Sequence, residues 1–230
     1  MRFNQMVTYG LSLPKTVYFN FRSLPFKNAR KLPIFVSYKV KILEVHKGII
    51  EFGEGVSVRP FMIRLGFNGT EEITPKKAKI NLKEGKLIFR GGCSMGEGCV
   101  LGVSGGVLDM GDHFSANKNC FISCNKEIVF GRDVMIGWNA VFFDAQGHIV
   151  FHNGEEKPSF KPIRIGNHVW VCAEAHVMKG SEVADGSIVA YRSLVTGKFT
   201  EKNILLGGSP AKRLQDHIDW GNFSKERNEK

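Results

Sequence analysis

A chain of 230 residues with 43% hydrophobic and 23% charged residues can bury a core, which excludes wholesale disorder. Glycine is abundant at 26 and proline modest at 8, favouring a turn-rich β protein over a helical one. The formal net charge is +10, and it is unevenly spread. Residues 1–47 hold Arg2, Lys15, Arg22, Lys27, Arg30, Lys31, Lys39, Lys41 and Lys47 against one acid, Glu44, so this segment is +8 and the rest only +2.

No stretch approaches the ~18 apolar residues of a membrane span. The N-terminus, MRFNQMVTYGLSLPKTVYFNF, has no apolar core followed by a small-residue cleavage site, so no signal peptide is expected. The five cysteines (Cys93, Cys99, Cys120, Cys124 and Cys172) are odd in number and form no CxxC pair, which predicts reduced, buried thiols and a cytoplasmic setting. The basic charge comes without any RNP, zinc-finger or basic-zipper pattern, and no nucleic-acid partner is expected.

Taken from the N-terminus, residues 1–47 mix basic residues with Tyr9, Tyr18, Phe19, Phe21, Phe26 and Phe35. They are expected to cap whatever follows, with peripheral membrane association through the basic charge as a secondary expectation. Phe52-Gly53, Val58 and Leu65-Gly66 read as a degenerate first coil, and residues 68–81 as a polar excursion. Shorter six-residue runs follow: Phe89, Met95, Leu101, Val107; then Met110, Ala116, Ile122, Ile128; then Phe130, Ile136, Phe142. The longest run is Ile165, Val171, Val177, Val183, Val189 and Val195, without a slip.

A helix cannot account for a period of six. At ~100° per residue, six residues advance by ~240°, so the anchors would point in three directions. A parallel β-helix accounts for it directly, with each hexad a short strand and a turn, three hexads a triangular coil, and the anchors stacked inward. Small residues beside the anchors, such as Gly131, Gly137, Gly166 and Ala190, fit where the chain turns.

The stretch from Ile165 to Leu214, with Gly166-Asn167-His168-Val169-Trp170, the unbroken hexads and Gly208-Ser209-Pro210-Ala211-Lys212, resembles the end of the hexapeptide-repeat acyltransferases. The likeness is to the galactoside, maltose and polysaccharide O-acetyltransferases and covers about residues 85–215. It implies an all-β, left-handed parallel β-helix assembled as a homotrimer, with acetyl-CoA as co-substrate, no metal, and active sites between subunits. The expected organisation is a cap over 1–47, the β-helix over 48–198 with a catalytic loop at 143–164, and a C-terminal segment over 199–230 with a short helix that begins at about residue 211 and carries Leu214, Ile218 and Trp220.

Between Phe142 and Ile165 lie about twenty residues, too many for a turn, and long excursions from a rigid scaffold tend to carry function. They contain Asp144, His148 and His152. The resemblance assigns the general base to His148, and imidazole, titrating near neutrality, suits that task. Asp144 is expected to orient it, with Glu155 or Glu156 as other candidates for that role or for holding the acceptor. Asn139 and Trp170 are expected at the acceptor, and Trp170, Ala173, Ala190, Thr196, Lys198, Lys212 and Arg213 along the CoA. Lys198 stands one place beyond the family's lysine, which is Gly197 here.

The expected activity is acetyl transfer to a hydroxyl of a sugar or glycan precursor, with an amino sugar or sugar nucleotide as the alternative acceptor. Two rivals remain: a metal-binding trimer like the gamma-type carbonic anhydrases, using His113, His148, His152, His168 or His176, and a non-enzymatic scaffold.

Overall fold

The hexad anchors stack as expected. In the computed structural model, which describes residues 3–221, Ile165 pairs with Val183, Val171 with Val189 and Val177 with Val195, each eighteen residues on. Eighteen residues are three hexads, so one coil closes per three anchors. The strands are parallel and form three faces around a continuous apolar core. The fold is the parallel β-helix class expected from the sequence.

Each face carries one column of stacked side chains. The first runs Val36, Leu65, Met95, Ala116, Ile136, Val171, Val189, Leu206. The second runs Ile42, Ile80, Leu101, Ile122, Phe142, Val177, Val195. The third runs Phe52, Phe89, Met110, Phe130, Ile165, Val183, Phe199. Aromatics fill the middle coils, where Phe130 meets Phe114 at 4.9 Å and Phe142 at 5.0 Å between ring centroids. Small residues beside the anchors have a steric cause: a Cβ on Gly131 would lie 2.6 Å from the backbone of Gly166 and Asn167, and one on Gly137 would lie 2.4 Å from the Ala173 nitrogen.

Three expectations about the frame are corrected. Val107 is only half-buried and Leu108 takes the inward position, because Lys79–Phe89 and Val100–Met110 run as single strands round the corner between the second and third faces. Register shifts at Leu82/Glu84 and Glu84/Lys86 absorb the extra residues. The solenoid starts before residue 48: Ile34–Val36 and Lys41–Glu44 already pair with the next coil. It also continues past residue 198 to Leu205–Gly208.

The expected C-terminal helix is a strand. Ala211–Gln215 returns antiparallel along Leu205–Gly208, with Ser209-Pro210 at the turn. The last first-face strand would otherwise present a bare edge of N–H and C=O groups, and the returning chain satisfies them, which a helix would not. Residues 222–230 of the C-terminal segment lie outside the described residues.

At the opposite end α1 (Phe3–Ser23) closes the first coil. Its buried side is polar. Asn20 donates to the Ile34 carbonyl at 2.6 Å and accepts from the Ile34 N–H at 3.1 Å. Thr16 accepts from the Val36 N–H at 3.0 Å and donates back to its carbonyl, and Ser12 accepts from the Tyr38 N–H at 3.0 Å. Ser12, Thr16 and Asn20, four residues apart, lie along one helix face, so their side chains do for this edge what a further strand would do.

Candidate active site

Two grooves flank the corner between the first and second faces. The first, about 530 Å³, lies on the first face and is largely apolar, with Met135, Trp138, Trp170, Ala173 and Tyr191 among its walls. Trp170 is partly exposed and sits beside Trp220, 6.1 Å between rings. Cys172 also lines it, and burial pushes its thiol up to about 11.

The second groove, about 750 Å³, crosses the second face and is more polar, with Asn119, Asn139, Glu174, His176, Arg192 and Ser193. Four of these occupy the same corner in successive coils. Asn119, Asn139, Glu174 and Arg192 all have left-handed φ of 57–62°, the sharp corner that each coil must turn. Their side chains make a ladder: Arg192 donates to Glu174 at 2.6 Å, and Asn139 also bonds Glu174. Arg192 first, and then Tyr191 and Asn139, hold the Glu174 carboxyl below the usual range. Asn139 Oδ1 and Ser193 Oγ are buried with no hydrogen-bond partner, two polar atoms that a ligand hydroxyl would satisfy. Asn139 is therefore both a turn residue and a groove residue.

The excursion leaves the second-face strand Val141–Phe143 and returns at Ile163–Ile165 on the third face. It carries a hairpin, Val150–His152 against Glu155–Lys157. Its turn is Asn153-Gly154, both left-handed at φ 52° and 80°, the Asn-Gly signal for a tight hairpin, which a reading centred on the histidines passes over. Phe160 bridges Ala145 and the Ser159 carbonyl accepts from the Gln146 N–H at 3.0 Å, pinning the base of the loop. His148 is exposed between this base and the hairpin, as is Glu155 at the hairpin.

Asp144 does not orient His148, which corrects that expectation. It is fully buried, and its carboxylate accepts from the N–H groups of Asn125 (2.8 Å), Lys126 (2.7 Å) and Glu127 (2.8 Å). These are consecutive amides of the turn one coil below, so Asp144 holds that corner together, and neither oxygen is left for an imidazole.

The remaining expected residues divide between two edges of the prism. Trp170, Ala173 and Asn139 stand at the first–second corner. Ala190 is beside them, but its N–H already bonds the Leu206 carbonyl at 2.8 Å and its carbonyl accepts from the Ser193 N–H at 3.3 Å. Thr196 and Lys198 stand at the second–third corner, with Lys198 ion-paired to Glu182 at 3.7 Å. Lys212 is exposed on the terminal strand; Arg213 beside it bonds Asp216, which raises the guanidinium further and lowers the carboxyl.

Two of the other histidines are engaged elsewhere. His113 bonds Asp133 at 3.0 Å, and His168 stacks on Trp220 at 4.2 Å while its carbonyl accepts the Trp220 indole N–H at 2.9 Å. His176 sits on the strand His176–Met178 and lines the polar groove. Among the described residues no three His, Cys, Asp or Glu side chains cluster as metal ligands.

No family model matches the chain. Over 131 residues it is 30% identical to a chloramphenicol acetyltransferase of Klebsiella aerogenes, covering 44% of this chain and 62% of that one. Over 146 residues it is 26% identical to the putative lipopolysaccharide biosynthesis O-acetyl transferase WbbJ of Escherichia coli strain K12, covering 58% and 74%. Among solved structures, the polySia-specific acetyltransferase NeuO aligns with a TM-score of 0.45 at 18% identity, covering 85% of this chain and 81% of that one. The chain spans 62%, 51% and 53% of the length of three chloramphenicol acetyltransferases it matches. By its hexads, its coil and these curated relatives, the chain resembles the hexapeptide-repeat acetyltransferases.

Proposed function

We propose that the protein transfers an acetyl group from acetyl-CoA to a hydroxyl of a sugar or glycan precursor, with His148 as general base. The observation that carries this reading is the pairing of a long excursion presenting an exposed His148 with two grooves of opposite character on one corner. The apolar first groove, walled by Trp138 and Trp170, suits a pantetheine arm, and the polar second groove, with unpaired Asn139 Oδ1 and Ser193 Oγ, suits a hydroxylated acceptor. The relatives named above act on chloramphenicol or carry a lipopolysaccharide biosynthesis name, which supports an O-acetyl rather than N-acetyl product.

Acetyl-CoA supplies an activated thioester. His148 takes the proton of the acceptor hydroxyl as that oxygen attacks the acetyl carbonyl, a C–O bond forms, the C–S bond breaks, and the proton passes to the departing thiolate. Asn139 positions the acceptor, and Trp170 walls the donor. Lys212 is the best placed cation for the nucleotide phosphates, since Lys198 and Arg213 already face carboxylates.

Homotrimeric assembly completes this site in our reading. One protomer places His148 at the second–third edge and Trp170 on the first face. Ile149, Val150, Phe151 and Phe160 of the excursion are 47–64% exposed, an apolar surface that a neighbouring subunit would cover. The test is a panel of sugars and chloramphenicol with acetyl-CoA, read as free thiol release and as product mass. Absence of thiol release above the hydrolysis background for every hydroxylated acceptor would remove the reading; an amide product would move it to amino sugars.

A further inference from the structure

The closing helix α1 is amphipathic in the reverse of the usual sense. Its polar residues Ser12, Thr16, Asn20 and Ser23 are fully buried against the first coil. Phe19 is buried with them, but most of its apolar residues face out: Met6 is 56% exposed, Leu11 55%, Tyr18 56% and, just beyond the helix, Phe26 67%. At ~100° per residue, the arc from Leu13 round through Val17, Phe21 and Val7 to Leu11 spans about 160° and contains no charge. Arg22 borders it, Lys15 beyond it is tied to the Tyr38 and Val40 carbonyls, and the exposed Lys27, Arg30 and Lys31 follow in the next turns.

We propose that α1 lies in the plane of an anionic membrane surface, its outward apolar arc among the acyl chains near the headgroups and its basic border on the lipid phosphates. The helix is about 30 Å long, and no helix of the described residues is long and apolar enough to cross a membrane. An apolar face with a cationic rim and aromatic residues is the pattern of a helix lying at the interface. Charge selects the occupant. The segment 1–47 is +8, so a second copy would bring like charge to like charge, whereas an anionic bilayer is complementary. The helix is also already ordered: hydrogen bonds from Ser12, Thr16 and Asn20 fix it to the first coil, so membrane contact requires no folding step. This inference goes beyond acetyl transfer and is tested without an acyl donor, so either can fail alone.

The test is co-sedimentation of the full chain with vesicles of phosphatidylcholine alone and of phosphatidylcholine with phosphatidylglycerol. Binding to the anionic vesicles is expected to be about tenfold or more tighter, and to weaken as salt screens the rim. Leu11→Glu with Phe21→Glu, and separately Arg22→Glu with Lys27→Glu, are each expected to cut that binding about tenfold while thermal unfolding is unchanged, since all four side chains are exposed. Tyr18→Trp is expected to shift its emission to the blue on anionic vesicles. Vesicle binding that both double variants retain, or no binding at all, overturns the proposal. So does an oligomer of the wild type, seen by sedimentation, that Leu11→Glu with Phe21→Glu dissolves, because the face would then belong to a second copy.

Discussion

At the scale of single residues, the two members of the expected pair in the excursion separate cleanly. His148 is exposed and Asp144 is buried under three backbone N–H groups, so their substitutions should read out in different experiments. His148→Ala is expected to lower kcat by ~10²–10⁴-fold and leave CoA affinity nearly unchanged in a binding titration. Asp144→Ala should instead destabilise the protein by about 3 kcal/mol or more in chemical denaturation, because it strands buried amides of the 125–127 turn. A variant with near-normal stability and lost turnover would restore Asp144 to the chemistry. Cys172, whose thiol burial raises to about 11, should alkylate slowly at neutral pH, with a rate that climbs about tenfold per pH unit up to that value. Mass spectrometry of the modified peptide follows it directly.

At the scale of elements, two short pieces carry consequences larger than their size. The hairpin of the excursion depends on Gly154 at φ 80°, where a side chain is strained. Gly154→Val should loosen the hairpin, seen as faster proteolytic cleavage near residues 149–157, with the solenoid's unfolding transition unmoved. The cap depends on Asn20, which satisfies both backbone groups of Ile34. Asn20→Ala is expected to cost about 2–4 kcal/mol, since both backbone groups are then left buried and unpaired. The hairpin turn is legible in the sequence as Asn153-Gly154; a cap over residues 1–47 was expected, but not the polar contacts that fix it. Ser12, Thr16 and Asn20 read as a polar helix face, and only the bare edge of Ile34–Val36 turns that face inward.

At the scale of the whole molecule, the corners between coils act as ladders whose charges link stability to pH. Asp185 accepts from the Asn167 N–H at 2.8 Å and from Lys202 at 3.0 Å, and the backbone bond first, then the lysine, hold its carboxyl below the usual range. A carboxylate with a depressed folded pKa adds stability that is complete above its unfolded value near 3.9 and disappears as pH falls through the lower folded value. Asp185→Asn should therefore lower stability at pH 6 and flatten its dependence on pH below about 4, measured by denaturant titration across that range. The site depends on the same long-range geometry. Phe121, Val141, His176 and Leu194, far apart in sequence, form one wall of the polar groove because the coil stacks them.

The repeat, and with it the coil, its three faces and most of its inward columns, was determined by the sequence alone, because each rung is local: six residues set one strand and one corner, and the next rung copies it. The excursion was legible for a related reason, since a break in a strict period is visible wherever it occurs. The tertiary structure decided what happens where the repeat stops. The final strand edge drew Ala211–Gln215 into an antiparallel return instead of a helix, and the first edge drew α1's polar side chains inward. The clamp by Asp144 and the Asn139–Glu174–Arg192 ladder were settled there too, because they join residues from different coils. Unpaired backbone at an edge or a corner must find a partner, and which side chain supplies it depends on what the stacking brings near, which no local pattern encodes.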